Sequence, residues 1–537
     1  MHSSCRFTKE RTILFGLWFG KEKPQLTSFL RPIVNTWNDL QEKGVDVNFG
    51  SSRIKMKVKI LAATMDLPAM SMLKEVKQFN GEYGCGICEE KGVRTKKGKG
   101  TVNAYVYRSP SKQAPLRTAE RMKQHASQAK VLGKPVFGVK RRSMVSFVKG
   151  FNYASDVMVD YLHGICIGVT KALLKLWLTN KKQPYYIGDK LDMVDERLAN
   201  IKPPDNVTRN PRSLANELSD FKASEYRALL LYYGLVAFRG VLPEKYFEHF
   251  AMLSTAIYLL LTDEVTAENR RTAQDLLTRF HMLYVEYYGA ENCTINLHNA
   301  CAHIVKCVEL AGPLWAFGCF NFESNCGTMA RFVHGTRYVG MQIVNGYHML
   351  QRIHSIGEVI RSQPVRDVIM RVQNKRQRNE QCPELGKLKR LNNESYECKA
   401  IADLFQCRDA VVHSFSRLVR CREILISEDW KRQKTKNSTV ISYFLNGTQQ
   451  YGCISRFLRV TTDTNTFNVA SITPSEVTEE NAFSNDGQIG KHTKKIKFIR
   501  SKKHIIKIED IGRRMVVVSE GYDEGTIIPV VNSTDHD

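Results

Sequence analysis

The stretch Thr64–Glu90, "TMDLPAMSMLKEVKQFNGEYGCGICEE", decides the reading of this chain. An apolar run ends in a carboxylate, Asp66, and a Cys-x-x-Cys pair, Cys85 and Cys88, follows nineteen residues later. Such a thiol pair is half of a zinc site, because a tight turn lets both sulfurs reach one ion. The other half must then come from elsewhere. His298 and His303 supply it, in a segment more than two hundred residues downstream. On an ideal helix an offset of five residues turns about 140°. One of the two histidines must therefore sit where a helix begins or bends. Cys85, Cys88, His298 and His303 together make a closed Cys2His2 structural set. The same residues also read as ordinary buried thiols and core or surface histidines. Glu323 follows His303 by twenty residues, so a clasp joining the two halves would bring Asp66 and Glu323 together. Two converging carboxylates suit two-metal phosphoryl chemistry with Mg²⁺ or Mn²⁺. Glu323 reads equally as an acid near a helix start, stabilised by backbone N–H groups.

Outward from this stretch the chain reads as α/β. "RTILFGLWFG" (Arg11 to Gly20) predicts a buried strand. "PQLTSFLRPIVNTWNDLQEKG" (Pro24 to Gly44) predicts an amphipathic helix closed by glycine. "SRIKMKVKILAATMD" (Ser52 to Asp66) predicts a strand entering a core, with Asp66 at its carboxyl end, where α/β sheets place functional groups. Residues 91–150 are basic and weakly periodic and predict a long, partly mobile connection. Residues 151–290 are strongly helical, with "VMVDYLHGICIGVTKALLKLWL" (Val157 to Leu178) as the first helix. Asp160 and His163 open that helix, as accessory site residues or as a helix-start acid with a satisfied histidine. Residues 291–435 hold the histidine pair, Glu323 and a charged helical region. Residues 436–537 change to short alternating strands and predict a small separate β domain.

Lys and Arg number 79 against 54 Asp and Glu, for a net charge of +25. The excess recurs in clusters: Lys96, Lys97 and Lys99; Lys140, Arg141 and Arg142; Arg371, Lys375, Arg376 and Arg378; Lys494, Lys495 and Lys497. This pattern points to a polyanionic partner, most simply duplex DNA, although each cluster alone is compatible with a solvated loop. The first residues carry charges where a signal peptide needs an apolar core. No run reads as the roughly 18 apolar residues that span a bilayer. The 14 cysteines suggest reduced thiols, a few of them metal-bound, rather than a disulfide framework.

Several blocks occur in an order that resembles the CACTA (En/Spm-like) DDE DNA transposases and genes derived from them. They are "GLWFGKEKPQLTSFLRPI", "DLPAMSMLKEVKQFNGEYGCGIC", "DYLHGICIGVTKALLKLW", "IKPPDNVTRNPRSL", "KASEYRALLLYYG" and "GPLWAFGCFNFESNCGTMARFVHGT". The resemblance runs from about Arg11 to His348. It implies an RNase H-like core interrupted by an all-helical insertion, here residues 151–290. It implies Asp66 as the second acid and Glu323 as the third, a nuclear location, and metal-dependent cleavage and transfer of transposon-end DNA, with homo-oligomerisation left open. The V(D)J recombinase looks like a distant relative, with a similar Cys-x-x-Cys and paired-His zinc site beside its acids. In the family the first acid lies in a block resembling "DG-x-PVF", ahead of the segment that matches "FTKERTILFGLWFG". The chain starts at that segment, so the expected core lacks its first hairpin and one metal ligand. Asp39 and Asp46 fall on a helix and on its trailing loop and do not replace it. The expectation is therefore a transposase-derived DNA-binding protein inactive as given. The alternative is a domesticated, non-catalytic DNA-binding or scaffold protein.

Overall fold

The computed structural model describes residues 12–360, 362–365, 368 and, apart from single positions and short gaps, 384–532. Thr12–Phe19 has no regular secondary structure and joins no strand among the described residues, in contrast to the buried strand expected there. Ile13 and Phe19 are 74% and 68% exposed. Apolar content alone does not make a strand when no partner edge faces it. The segment is held instead by side chains. Tyr347 and Gln351 donate to the Thr12 carbonyl at 2.7 and 2.9 Å, and Phe15 stacks on Trp37. Trp37 belongs to helix α1 (Leu26–Glu42), as expected from its periodicity. Gly44 closes it at φ +71, where a Cβ would meet the Met56 carbonyl at 2.7 Å.

The single strand expected over Ser52–Asp66 is two separate pieces. β1 (Val45–Phe49) and β2 (Ser52–Met56) form an exposed hairpin, and β3 is only Ala63–Met65. Asp46 therefore lies on a strand and not on a loop, paired with Arg53 at 2.9 Å. Asp66 caps helix α2 (Leu67–Lys74), accepting from the Ala69 N–H at 2.7 Å. The connection over 91–150 is more ordered than its weak periodicity suggests. It contains the hairpin β4 (Val93–Lys97) and β5 (Gly100–Ala104) and helix α3 (Ala119–Leu132). Thr118 caps α3 and Gly133 ends it at φ +64. Met122 and Ala126 of α3 pack on Val34 of α1 and on Val76.

Val157–Val159 also departs from expectation. These residues form β6, which pairs in parallel with β3 through Ala63–Val157, Thr64–Met158 and Met65–Val159. Two β-branched residues in three, all buried, favour a strand over the start of a helix. The helix α4 (Leu162–Thr179) begins only after Asp160, and its first half, Leu162–Thr170, is π-helical. By length and composition α4 is apolar enough to cross a membrane. It is a core helix here: Leu173, Leu174 and Trp177 are buried, and Trp177 meets Phe238 and Phe250 edge-on.

Helices α5 (Glu244–Leu260), α6 (Ala267–Tyr288), α7 (Ile295–Ala302), α8 (Ile304–Ala311), α9 (Phe320–Ala330) and α10 (Val339–Val359) continue the helical part. Strands then start earlier than residue 436. β7 (Glu384–Leu385), β8 (Lys389–Arg390), β9 (Val411–Phe415), β10 (Arg417–Arg420) and β11 (Glu423–Ile426) precede the expected β region, with helix α11 (Tyr396–Phe405) among them. β12 (Val440–Leu445), β13 (Thr448–Thr461), β14 (Thr466–Glu480), β15 (Lys494–Phe498), β17 (Ile511–Ser519) and β18 (Glu524–Pro529) close an antiparallel barrel in the order β14-β15-β18-β17-β12-β13-β14. β16 (His504–Lys507) adds to β14, and β9 to β13. The barrel shares a core with the helices: Val516, Ile528 and Val531 belong to the same apolar cluster as Tyr232, Phe250 and Tyr258.

Two core histidines make this packing acid-sensitive. His249 stacks on Phe280 and its Nε2 lies 2.8 Å from the Phe280 carbonyl. His492 stacks on Tyr258 and finds no hydrogen-bond partner among the described residues. Burial pulls both down to about 3. A histidine whose folded pKa is depressed stabilises fully above its unfolded value, about 6.5, and progressively less as pH falls toward the folded value. Each should contribute about 2 kcal/mol less at pH 5 than at pH 7. Urea midpoints at the two pH values should show this loss, and His492→Phe should remove one histidine's share of it.

Candidate metal centre and acidic cluster

The loop Cys85–Cys88 is fixed from both sides by buried basic side chains. Lys74, at the end of α2 and fully buried, donates to the Gly86 carbonyl at 2.8 Å and to the Ala154 carbonyl at 3.0 Å. Arg117 donates to the Cys85 carbonyl at 2.9 Å. Gly86 is required by close approach, since a Cβ there would lie 2.6 Å from the Met70 sulfur. The Cys88 and Ile87 N–H groups both point at Cys85 Sγ, at 3.4 Å. This is how a Cys-x-x-Cys turn presents its first sulfur.

The histidine pair meets the geometric demand set by its spacing. His298 lies on α7. His303 ends α7 and precedes α8, with φ −125 and ψ −24, so the helix breaks at the second ligand. The break swings both Nε2 atoms to one point. Cys85 Sγ is 3.5 Å from His303 Nε2, Cys88 Sγ is 3.2 Å from His298 Nε2, and the two Nε2 atoms are 3.1 Å apart. All four ligand atoms lie within 4.8 Å of one another and all four residues are buried. A tetrahedral ion with Zn–S near 2.3 Å and Zn–N near 2.05 Å has S···N edges of about 3.6 Å and an N···N edge of about 3.3 Å. The side chains thus stand close to the vertices such an ion needs. The four residues are positioned to hold a metal, and the donor set is compatible with structural zinc.

The electrostatics suit the same role. Burial opposes ionisation of Cys85, but hydrogen bonds from Cys88 and both imidazoles hold its thiol well below the usual range. The bond to Cys85 and burial push Cys88 up, so the pair sheds its first proton from Cys85. Burial keeps His303 neutral, the ligating form. Burial brings Lys74 down to about 7.

α2 runs from this loop to the acids. Its eight residues span about 12 Å, with Asp66 at one end and Lys74 at the other. The parallel pairing of Met65 with Val159 sets Asp66 and Asp160 side by side at the carboxyl ends of β3 and β6. Asp160 is 3% exposed. Its Oδ1 accepts from the Cys319 N–H at 2.8 Å, and its Oδ2 accepts from the His163 backbone at 3.0 Å. His163 Nδ1 lies 2.6 Å from Asp160 Oδ2, and its Nε2 lies 3.0 Å from Glu323 Oε1. The hydrogen bond to Asp160 raises the His163 pKa against its burial, and the charges of Asp160, Glu323 and Asp66 add to the effect. Glu323 is in the first turn of α9 and half-exposed. Asp66, Asp160, His163 and Glu323 therefore share one neighbourhood. Three partners were not singled out from sequence: Lys74, Arg117 and Cys319. Only Cys319 carries a sequence signal, its position four residues before Glu323.

The basic clusters differ in availability. Lys96 and Lys99 are exposed. Lys97 reaches the Glu291 carbonyl and Asn292. Lys140 and Arg141 both pair with Glu75, at 3.8 and 3.0 Å, and Arg142 lies over the Phe147 ring. Lys494, Lys495 and Lys497 face Glu480, Glu479 and Glu524 across the barrel strands. Arg371, Lys375, Arg376 and Arg378 lie outside the described residues.

Fold and site define an α/β chain with a helical body, a fused β-barrel, and a four-ligand clasp joining its two halves beside an acid cluster. No protein-family model matches the chain, and no curated protein matches it.

Proposed function

We propose that this is a transposase-derived nuclear DNA-binding protein. On this reading β3, β6, α9 and their surroundings are what remains of an RNase H-like core, and the helical part of 151–290 that follows β6, Leu162 to Tyr288, is its insertion. The observation that carries the reading is the convergence of Asp66, Asp160 and Glu323, from two paired parallel strands and a helix far apart in sequence. The parent chemistry is metal-dependent cleavage and transfer of DNA strands, with Asp66 and Glu323 holding Mg²⁺ or Mn²⁺. The Cys2His2 clasp, holding zinc, would keep the two halves of that core in register.

A specific observation favours the non-catalytic form of this reading. His163 stands between Asp160 and Glu323 and engages a carboxylate oxygen of each. Asp39 and Asp46, the other acids weighed for the site, are ion-paired with Lys43 and Arg53 on an exposed helix and hairpin. The chain as given is therefore expected to bind duplex DNA without cutting it in Mg²⁺ or Mn²⁺. Metal-dependent cleavage that disappears with Asp66→Ala would show that the acids are competent.

Binding itself is tested by salt. A protein neutralising six to ten phosphates loses roughly 10³–10⁵ in affinity between 50 and 200 mM salt. Lys96→Ala with Lys99→Ala should lower the log–log slope by about 2. Lys494→Ala with Lys495→Ala should leave it unchanged, because glutamates already neutralise those charges. An affinity insensitive to salt would remove nucleic acid as the partner.

A further inference from the structure

We propose that Asp160, His163 and Cys319 form a second metal centre, one that takes a zinc-like transition cation in preference to magnesium. The inference does not rest on the DNA-processing reading. It follows from three donors of different chemistry, brought from three elements to one largely buried point. Asp160 ends β6 and His163 lies in the first turn of α4. Cys319 immediately precedes α9, and its backbone N–H is held by Asp160 itself. A carboxylate oxygen, an imidazole nitrogen and the thiol sulfur lie within 4.8 Å of one another. Asp160 and Cys319 are 3% and 7% exposed.

The hydrogen bonds assign the ligand atoms. Asp160 Oδ1 is committed to the Cys319 and Leu162 N–H groups, which fix the carboxylate and leave Oδ2 facing His163. His163 Nδ1 points at that oxygen, while Nε2 points at Glu323 Oε1, 3.0 Å away. A ligating histidine that gives its other N–H to a carboxylate is the usual outer-shell arrangement of protein metal sites, and it orients the ring and raises its basicity. Glu323 fills that outer role here. The ion would replace the proton between Nδ1 and Oδ2 and the thiol proton of Cys319, since ligands bind metal deprotonated. Three protein ligands leave a fourth position for water or an anion.

Selectivity follows from the donors. Magnesium wants six hard oxygens in near-ideal octahedral geometry. A thiolate and an imidazole suit zinc, cobalt and their neighbours. An ion pair of His163 with Asp160 and Glu323 accounts for two of these side chains; the Cys319 sulfur, 3.8 Å from Thr64 Oγ1, is the third donor and lies within reach of both.

The test uses the full chain, stripped of metal, reloaded with one equivalent of Zn²⁺ to fill the Cys2His2 set, and then titrated with Co²⁺. Zinc outcompetes cobalt for the first set, so cobalt reports on the second. One equivalent of Co²⁺ should bind with a thiolate-to-cobalt charge-transfer band, and a roughly 100-fold excess of Mg²⁺ should not displace it. Cys319→Ser should lose the band and His163→Gln should lose the equivalent. Both variants should keep the first zinc and the native circular dichroism. Absence of a second equivalent in the native chain overturns the proposal, and so does a band that survives Cys319→Ser. Displacement by Mg²⁺ would replace it with an all-oxygen site. DNA binding is read separately by its salt slope, so either idea can fail without the other.

Discussion

Removing the metal from the Cys85–Cys88–His298–His303 centre, by chelation or by Cys88→Ser, should abolish the cooperative unfolding of the α2–α7 region. Zinc binding by such ligand sets is worth roughly 10–16 kcal/mol in small peptides. That equals or exceeds the roughly 5–15 kcal/mol by which whole domains are stable. The surroundings explain why little else could substitute. The small apolar cluster around the thiols consists of Cys85, Cys88, Tyr105 and Ile295, with Leu67 and Ile87 packed at its edge. Without an ion, two buried thiols and two buried imidazoles would crowd one another inside it. Elemental analysis should find one equivalent per chain at this set, lost on Cys88→Ser together with the thermal transition. Cys453→Ser is the control. That thiol is also buried, but its sulfur lies against Thr439, just before β12, and its loss should cost about 1 kcal/mol. If Cys88→Ser costs no more than the control and metal content is unchanged, the four residues are not a metal centre.

Tyr232→Ala is expected to destabilise the chain by about 3–5 kcal/mol, the range for deleting a large buried ring, and to loosen the helices and the barrel together. Tyr232 is fully buried in the helical body. Its hydroxyl is 3.2 Å from both the carbonyl and the N–H of Val531, just past the last barrel strand. Arg227, one helical turn earlier, donates to the Val531 and Asn532 carbonyls at 3.0 and 3.1 Å. Tyr258 adds a bond to the Pro529 carbonyl at 3.0 Å. Because Val516, Ile528 and Val531 share the helical core, denaturation followed by tyrosine fluorescence and by far-ultraviolet dichroism should give one coincident transition. Tyr232→Phe keeps the ring and should cost only about 1–3 kcal/mol, for the Val531 N–H left without this partner, since Arg227 still serves the Val531 carbonyl. Two separated transitions in the native chain would mean that the barrel is an independent unit.

What could be read from sequence followed the range of the signal. Helix α1 and the helices of the 151–290 block carry long apolar periodicities and form as helices, except that the first begins later than expected, after the strand Val157–Val159, and starts with π-helical turns. The convergence of the four metal ligands was legible in part: the Cys-x-x-Cys has the spacing of a zinc half-site, but the same four residues also read as buried thiols and core or surface histidines, and the family resemblance tipped the balance. The five-residue offset even required the break at His303. Short strands were not legible. Three residues at Ala63–Met65 and three at Val157–Val159 carry no periodicity of their own, and only their mutual pairing makes them a sheet. The pairing, in turn, gives Asp160 its place beside Asp66, so Asp160 could be named from sequence as a candidate but not placed. The Arg11–Gly20 run failed in the opposite sense, being apolar enough for a strand but offered no partner edge. The fused barrel was misjudged as separate because its inward and its helix-facing residues alternate in the same way, and a two-residue period does not say what covers the outer face.

The metal clasp also sets a schedule for biosynthesis. Cys88 and His298 are 210 residues apart. At roughly 5–20 residues per second, the thiols wait about 10–40 s on the ribosome before their imidazole partners are made. Throughout that interval α2 ends in a buried-type lysine with nothing yet built around it, and the Cys-x-x-Cys turn is open to oxidation or to metal captured by the wrong ligands. The helical block folds in the meantime, and α7, which follows it, carries the histidines in. Recombinant yield should therefore depend on reducing conditions and zinc supply during expression far more than on either after purification.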